Sequence, residues 1–125
     1  MQIEITGRNV PVSDEIREHL DRRLAKISRQ VSELARLEIE IFREPNPRVA
    51  DRHVAGATLY LKGVTLRASD SAPDMLHALN LVVDELARQV KRHRDKLRKR
   101  REAHAAASDR RSPGTASGGF APAPS

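Results

Sequence analysis

The residues with the clearest chemical potential form a run of cations between Arg88 and Arg101. Nine of these fourteen residues are basic and one, Asp95, is acidic, so the run carries +8 while the whole chain carries +6. The remaining residues therefore sum to −2, and the basic character of the chain is local. Such a block attracts polyanions, of which nucleic-acid phosphate is the commonest. The basic residues of the run are Arg88, Lys91, Arg92, Arg94, Lys96, Arg98, Lys99, Arg100 and Arg101.

A structural explanation of this run also has to be considered. Cations stabilise the last turn of a helix through its dipole, and charged runs are often only solvated helix faces. The dipole effect reaches a single turn, whereas fourteen residues span nearly four turns. Like charges one turn apart, as in Arg88/Arg92 and Arg92/Lys96, also cost helix stability. The pattern therefore favours a binding role for the charge.

A second basic group lies nearer the N-terminus. Arg22, Lys26 and Arg29 are spaced at i, i+4 and i+7, so they form one line along a helix, and Arg23 lies next to that line. If the two helices lie side by side, the two basic groups merge into one positive surface. Helices that present Lys and Arg to phosphates suit shape-based RNA recognition, which needs few base contacts.

The basic groups lie on two predicted amphipathic helices. The first helix is predicted over residues 14–30, with Ser13 as its N-cap and apolar residues at helical spacing. The second is predicted from about Asp74 to about Arg101, with the hydroxyl of Ser71 as its cap. Each helix has one apolar stripe, which predicts that each packs one face against a sheet.

Four strands are predicted from alternating apolar residues. The first covers Gln2–Thr6 and the second covers Leu37–Phe42. The third and fourth form a hairpin around the two-residue turn Lys62-Gly63, where glycine permits positive φ. This turn pairs Leu61 with Val64, Leu59 with Leu66, and Ala57 with Ala68, so both apolar sets share one face.

The order strand, helix, three strands, helix predicts an α/β (α+β) two-layer sandwich. The βαβββα chain forms a four-stranded mixed sheet, with one parallel pair and both helices on one face. We assign residues 1–102 to this domain. Residues 103–125 are rich in Ala, Ser, Gly and Pro without an apolar period, which predicts a disordered linker or tail.

No constellation in the sequence indicates an enzyme, a metal site or a cofactor. The chain contains no cysteine, and its five histidines show no ligand spacing. Glu38 and Glu40 lie two apart on the outer face of a strand, which is typical of solvated carboxylates. Phe42 and Tyr60 also lie on that face, where cross-strand packing is favoured over base stacking. An aromatic content of 2% argues against stacking of bases on several rings.

The N-terminus lacks a signal-peptide pattern, and no apolar run approaches the length of a membrane span. A cytoplasmic protein without membrane or small-molecule partners is therefore expected.

Three stretches resemble the ribosome hibernation-promoting factors, a family that includes protein Y. MQIEITGRNVPVSDEIREHLDRRLAKI is similar to the family's first strand and helix, ATLYLKGVTLRAS to its hairpin, and DMLHALNLVVDELARQVKRHRDKLRK to its second helix. The resemblance covers residues 1 to about 101. It implies a βαβββα fold similar to double-stranded-RNA-binding domains.

The resemblance also implies a function. Members bind the small ribosomal subunit at the decoding channel, where mRNA and the A- and P-site tRNAs would lie. They thereby block translation and preserve idle ribosomes under stress or in stationary phase. It implies dimerisation of ribosomes only where a further C-terminal domain is present.

Contact with rRNA is implied for seven residues, and no catalytic residue is implied. Arg22 is added to them on the helical line alone. Two alternatives remain open: a generic double-stranded-RNA-binding module that acts off the ribosome, and a protein-interaction module. The seven residues are Arg23, Lys26, Arg88, Lys91, Arg92, Arg94 and Lys96.

Overall fold

A computed structural model of the chain describes residues 1–111, with side chains described for residues 1–106. Its element order is strand, helix, three strands and helix, which confirms the predicted βαβββα order. The elements are β1 (Gln2–Arg8), α1 (Asp14–Gln30), β2 (Arg36–Arg43), β3 (His53–Leu61), β4 (Val64–Ala72) and α2 (Met75–Arg111).

The four strands form one mixed sheet in the order β1-β2-β3-β4. β1 pairs parallel with β2, whereas β2 with β3 and β3 with β4 are antiparallel. The predicted hairpin register is confirmed, because Leu61 pairs with Val64 and Leu59 with Leu66. Gly63 adopts the predicted positive φ, at 81°. The mixed sheet therefore forms as the sequence predicts.

Both helices cover the same face of the sheet. Their side chains meet directly, since His19 on α1 lies 2.6 Å from Asn80 on α2. Among the described residues the buried core is aliphatic and contains no charged side chain, as the low aromatic content predicts. Its largest fully buried side chains are Leu20, Leu24, Ile27, Leu37, Ile39, Ile41, Leu59, Leu79, Val82, Leu86 and Val90.

One of the two predicted helix caps is correct. Ser13 caps α1, because its hydroxyl accepts a hydrogen bond from the Ile16 amide at 3.2 Å. The predicted cap Ser71 is wrong, since this residue pairs with Val54 inside the sheet. Asp74 takes the role instead, and its Oδ2 accepts a hydrogen bond from the His77 amide at 3.1 Å. The reason is that β4 continues to Ala72, which leaves Asp74 next to the first helical residue.

The predicted end of the second helix is also wrong, because α2 continues past Arg101 to Arg111. Residues 103–111 are therefore helical. Four of the five residues 103–107 are alanine, the strongest helix former, and the first helix breaker after them is Pro113. The predicted disorder of residues 112–125 lies outside the described residues.

The chain divides into two compact units. The first, residues 1–90, contains the sheet, α1 and the first part of α2, and the second begins at Lys91. None of the helices in the described part of the chain has the length and apolarity needed to cross a membrane.

Gly7 is a position where only glycine fits. A Cβ at Gly7 would lie 2.3 Å from the carbonyl oxygen of Val10, and a backbone atom cannot move away by changing rotamer. We expect Gly7→Ala to lower the free energy of unfolding by about 1–3 kcal/mol in a urea titration. Gly56→Ala is the matched control, because its nearest neighbouring atoms lie 3.9 Å away. Equal unfolding midpoints for the two variants would contradict this expectation.

Candidate nucleic-acid interface

The basic residues of α1 lie on its exposed side. Leu20, Leu24 and the other apolar residues of the stripe are buried, which turns Arg22, Arg23 and Lys26 toward solvent. Within the described part of the chain, Arg22 and Lys26 make no ion pair. These two cations are therefore available to an external anion.

Two contacts show how α1 and the first part of α2 are arranged. His19 Nε2 lies 2.6 Å from Asn80 Oδ1, and Arg23 Nη2 lies 3.4 Å from Asp84 Oδ1. From the first contact to the second, the residue number rises by four on both helices, so the two helices run parallel. One further turn places Arg88 level with the end of the basic line on α1. The structure thus brings the α1 cations and Arg88 into one helical layer.

Arg23 and Arg88 both have carboxylate partners within this layer. The Arg23 side chain, 40% exposed, pairs with Asp84. Arg88 donates from Nε and Nη2 to Oε1 of Glu85 at 3.2 and 2.9 Å. The other carboxylate oxygen of Glu85 accepts a hydrogen bond from Gln89 at 3.0 Å, which holds that carboxylate in place. The charge of both arginines is therefore partly compensated before any ligand binds.

The remaining predicted contacts lie on α2 beyond residue 90. Lys91, Arg92, Arg94 and Lys96 are all exposed. In the described chain Lys91, Arg94 and Lys96 make no ion pair, so their charges are uncompensated. Arg98 differs, because it lies 3.3 Å from Asp95 and 3.8 Å from Glu102.

Cations surround this part of α2 almost completely. Successive residues of a helix are rotated by about 100°. On this basis, the basic residues between Lys91 and Arg101 occupy every side except the line of His93, Leu97 and His104. A helix with this distribution can approach phosphates from several directions.

The outer sheet face does not present a free carboxylate pair. Glu38 accepts a hydrogen bond from the Tyr60 hydroxyl at 3.1 Å and lies 3.5 Å from Arg36. Glu40 lies 3.7 Å from Arg8. Within the described residues there is also no group of three His, Asp or Glu side chains that could hold a metal ion.

The amino-acid sequence that forms this surface matches a known protein family. Residues 3–98 match the family described as "Sigma 54 modulation protein / S30EA ribosomal protein". The chain belongs to this family. Two curated relatives are similar along nearly their whole length, and both are named ribosome hibernation promoting factor. The one from Salmonella typhimurium is 34% identical over 98 residues, which cover 78% of this chain and 98% of that protein. The one from Escherichia coli K12 is 33% identical with the same coverage.

A third member of the family is longer. The ribosome hibernation promotion factor of Picosynechococcus is 27% identical over 97 residues, which cover 77% of this chain but 50% of that protein. The chain therefore spans about half of this relative and nearly all of the two shorter ones. These relatives confirm the resemblance to hibernation-promoting factors.

Two solved structures share the fold. The crystal structure of the Thermus thermophilus protein Y N-terminal domain superimposes with a TM-score of 0.64 at 26% identity, covering 74% of this chain and 99% of that one. A ribosomal subunit interface protein from Coxiella burnetii gives a TM-score of 0.63 at 21% identity, covering 76% and 99%. The βαβββα sandwich found here is therefore also the fold of these two proteins.

Proposed function

We propose that this chain is a ribosome hibernation factor that binds rRNA of the small ribosomal subunit at the decoding channel. In this position it excludes mRNA and the A- and P-site tRNAs, which blocks translation and preserves idle cytoplasmic ribosomes under stress or in stationary phase. The observation that carries the proposal is family membership across residues 3–98, with relatives of nearly the same domain length that are named ribosome hibernation promoting factors.

The charges of the described residues support this proposal. Lys91, Arg94 and Lys96 are exposed without ion-pair partners, and so are Arg22 and Lys26 in the first unit. Cations of this kind bind phosphate oxygens, which gives affinity and orientation with little dependence on base sequence. Inhibition then needs no chemical step, because occupancy of the site is sufficient.

The ion-paired arginines have a secondary role in this proposal. Arg23 and Arg88 would have to exchange Asp84 and Glu85 for a phosphate, and the gain in binding is the difference between the two interactions. Exposed ion pairs contribute only about 0–1 kcal/mol, so the exchange is feasible. We therefore assign the main contribution to the uncompensated lysines and arginines.

Competition with tRNA tests the proposed site. The purified chain is sedimented with bacterial small subunits, alone and after the subunits are loaded with mRNA and with tRNA in both sites. We expect the chain to sediment with empty subunits and to be displaced from loaded ones. Undiminished binding to loaded subunits would contradict the decoding channel as the site.

A plain RNA duplex provides the second arm of this experiment. A hibernation factor should bind the small subunit far more tightly than a duplex at the same salt concentration. Equal affinities for the two would favour the generic double-stranded-RNA-binding module.

A further inference from the structure

Three side chains on the outer sheet face each contact the other two. They lie on the side of the sheet opposite the helices. Arg36 begins β2 and lies opposite Tyr60 on β3. The guanidinium carbon of Arg36 sits over the Tyr60 ring, 4.6 Å from its centroid. Glu38 holds both partners, because its Oε1 accepts the Tyr60 hydroxyl at 3.1 Å and its Oε2 lies 3.5 Å from Arg36 Nη2. The guanidinium is thus fixed over the ring by two contacts.

This group is accessible to a ligand. The Arg36 side chain remains 54% exposed although it covers the ring of Tyr60. The side of the guanidinium that does not touch the ring therefore faces solvent. An exposed ion pair contributes little to stability, so a ligand can use this surface at little cost to the fold.

Two cations lie at the same end of the sheet as this group, and the carboxylate of Glu4 on β1 lies beside Glu38. β2 begins with Arg36 at the end of the sheet where the β3–β4 hairpin turns and where α1 ends. Lys62 lies in the turn, is exposed and makes no ion pair within the described residues. A Cβ at the adjacent Gly63 would meet nothing within 4 Å, so the turn stands in open solvent. Arg29, in the last turn of α1, adds another cation at this end of the sheet.

We propose that Arg36, held over Tyr60 by Glu38, is a stacking platform for one unpaired RNA base, with Lys62 available to the adjacent phosphate. Guanidinium planes and aromatic rings are the surfaces on which proteins stack unpaired bases. A base inside a duplex does not expose its face, so the ligand is single-stranded. The inference rests on the proposed function only because it requires that the chain binds RNA.

The direct test is NMR of the arginine side chains in the full chain during titration with a four-nucleotide single-stranded RNA. A base stacked on Arg36 shifts its Nε–H resonance upfield through the ring current. Arg8 is the internal control, since it lies on the same face and pairs with Glu40 but is not held over a ring. We expect a saturable upfield shift for Arg36 and none for Arg8. The same RNA with abasic positions should leave Arg36 unshifted.

Affinity measurements with conservative variants complete the test. Arg36→Lys keeps the charge but loses the planar group, and stacking of one base corresponds to roughly a 5- to 150-fold change in affinity. We expect a loss within this range for Arg36→Lys and less than about twofold for Arg8→Lys. Tyr60→Phe keeps the ring and releases Glu38, so its loss should be intermediate. Circular dichroism and urea unfolding verify that each variant is folded.

Two results would overturn the platform: an Arg36 resonance that moves no more than that of Arg8 at saturation, or equal affinities for the two lysine variants. Neither result depends on ribosome binding. If sedimentation with small subunits fails while Arg36 still shifts upfield, the proposed function is refuted and the platform stands.

Discussion

Replacing Lys91, Arg94 and Lys96 together with glutamine should weaken binding to the small ribosomal subunit by roughly 30- to 1000-fold near 0.1 M salt. The dependence of the logarithm of affinity on the logarithm of salt concentration should become shallower by about 2–3, because each lost phosphate contact removes about 0.7–0.9. Sedimentation at several salt concentrations measures both quantities.

The expected effect is large because these three cations have no ion-pair partner among the described residues. A ligand phosphate interacts with their full charge, because no ion pair within the described residues has to be broken first. Arg98 provides the contrast, since Asp95 and Glu102 already lie within 4 Å of it. Arg98→Gln alone should therefore reduce affinity less than Arg94→Gln alone.

A matched triple variant separates a local binding surface from total charge. Arg17, Arg43 and Arg48 are exposed and make no side-chain ion pair within the described residues. Their replacement by glutamine removes the same three charges outside the predicted surface. We expect an affinity change below about threefold and an unchanged salt dependence. If both triple variants lost affinity equally, the interaction would depend on net charge and not on this part of α2.

Most of the fold could be predicted because its determinants are local. The hairpin is the clearest case, since a two-residue turn at Lys62-Gly63 fixes the register of both strands. The start of α1 also follows from one hydroxyl, Ser13, in front of an apolar stripe. The predicted end of α2 is wrong because residues 103–107, which have the composition of a linker, are mostly alanine and continue the helix.

The register between β2 and β3 could not be predicted, because a loop of nine residues separates these strands and no turn rule fixes it. The structure shows that Glu44 and Arg52 close this loop, since the Glu44 amide donates to the Arg52 carbonyl at 2.7 Å. Only this register places Arg36 opposite Tyr60. The contact between Arg36 and Tyr60 therefore cannot be predicted from the sequence.

The sequence assigns the candidate RNA surface to two basic helices, but it does not rank the cations on them. Charge spacing identifies which helices are basic, yet it does not show which cations are already compensated. Arg23 and Arg88 look equivalent to Lys26 and Lys91 in the sequence. Ion pairs with Asp84 and Glu85 make them different in the structure, because these pairs depend on where the helices meet and on rotamers.

Truncating Leu86 to alanine should lower the free energy of unfolding by about 2–5 kcal/mol, because the substitution leaves a cavity in a closely packed core. Leu86 is fully buried, at 0% exposure, in the first unit. Leu86 belongs to the buried core cluster, which includes residues of the sheet and of α1. Urea unfolding followed by circular dichroism at 222 nm measures the loss.

Leu97→Ala is the matched control on the same helix. Leu97 is 36% exposed and lies beyond residue 90, outside the core cluster. Alanine is also the better helix former, so we expect a change within about 0.5 kcal/mol. Equal losses for Leu86→Ala and Leu97→Ala would mean that α2 is stabilised by packing along its whole length. The expected difference means instead that α2 is held by the core up to Val90, and that its basic part needs only helix propensity to present its charges to RNA.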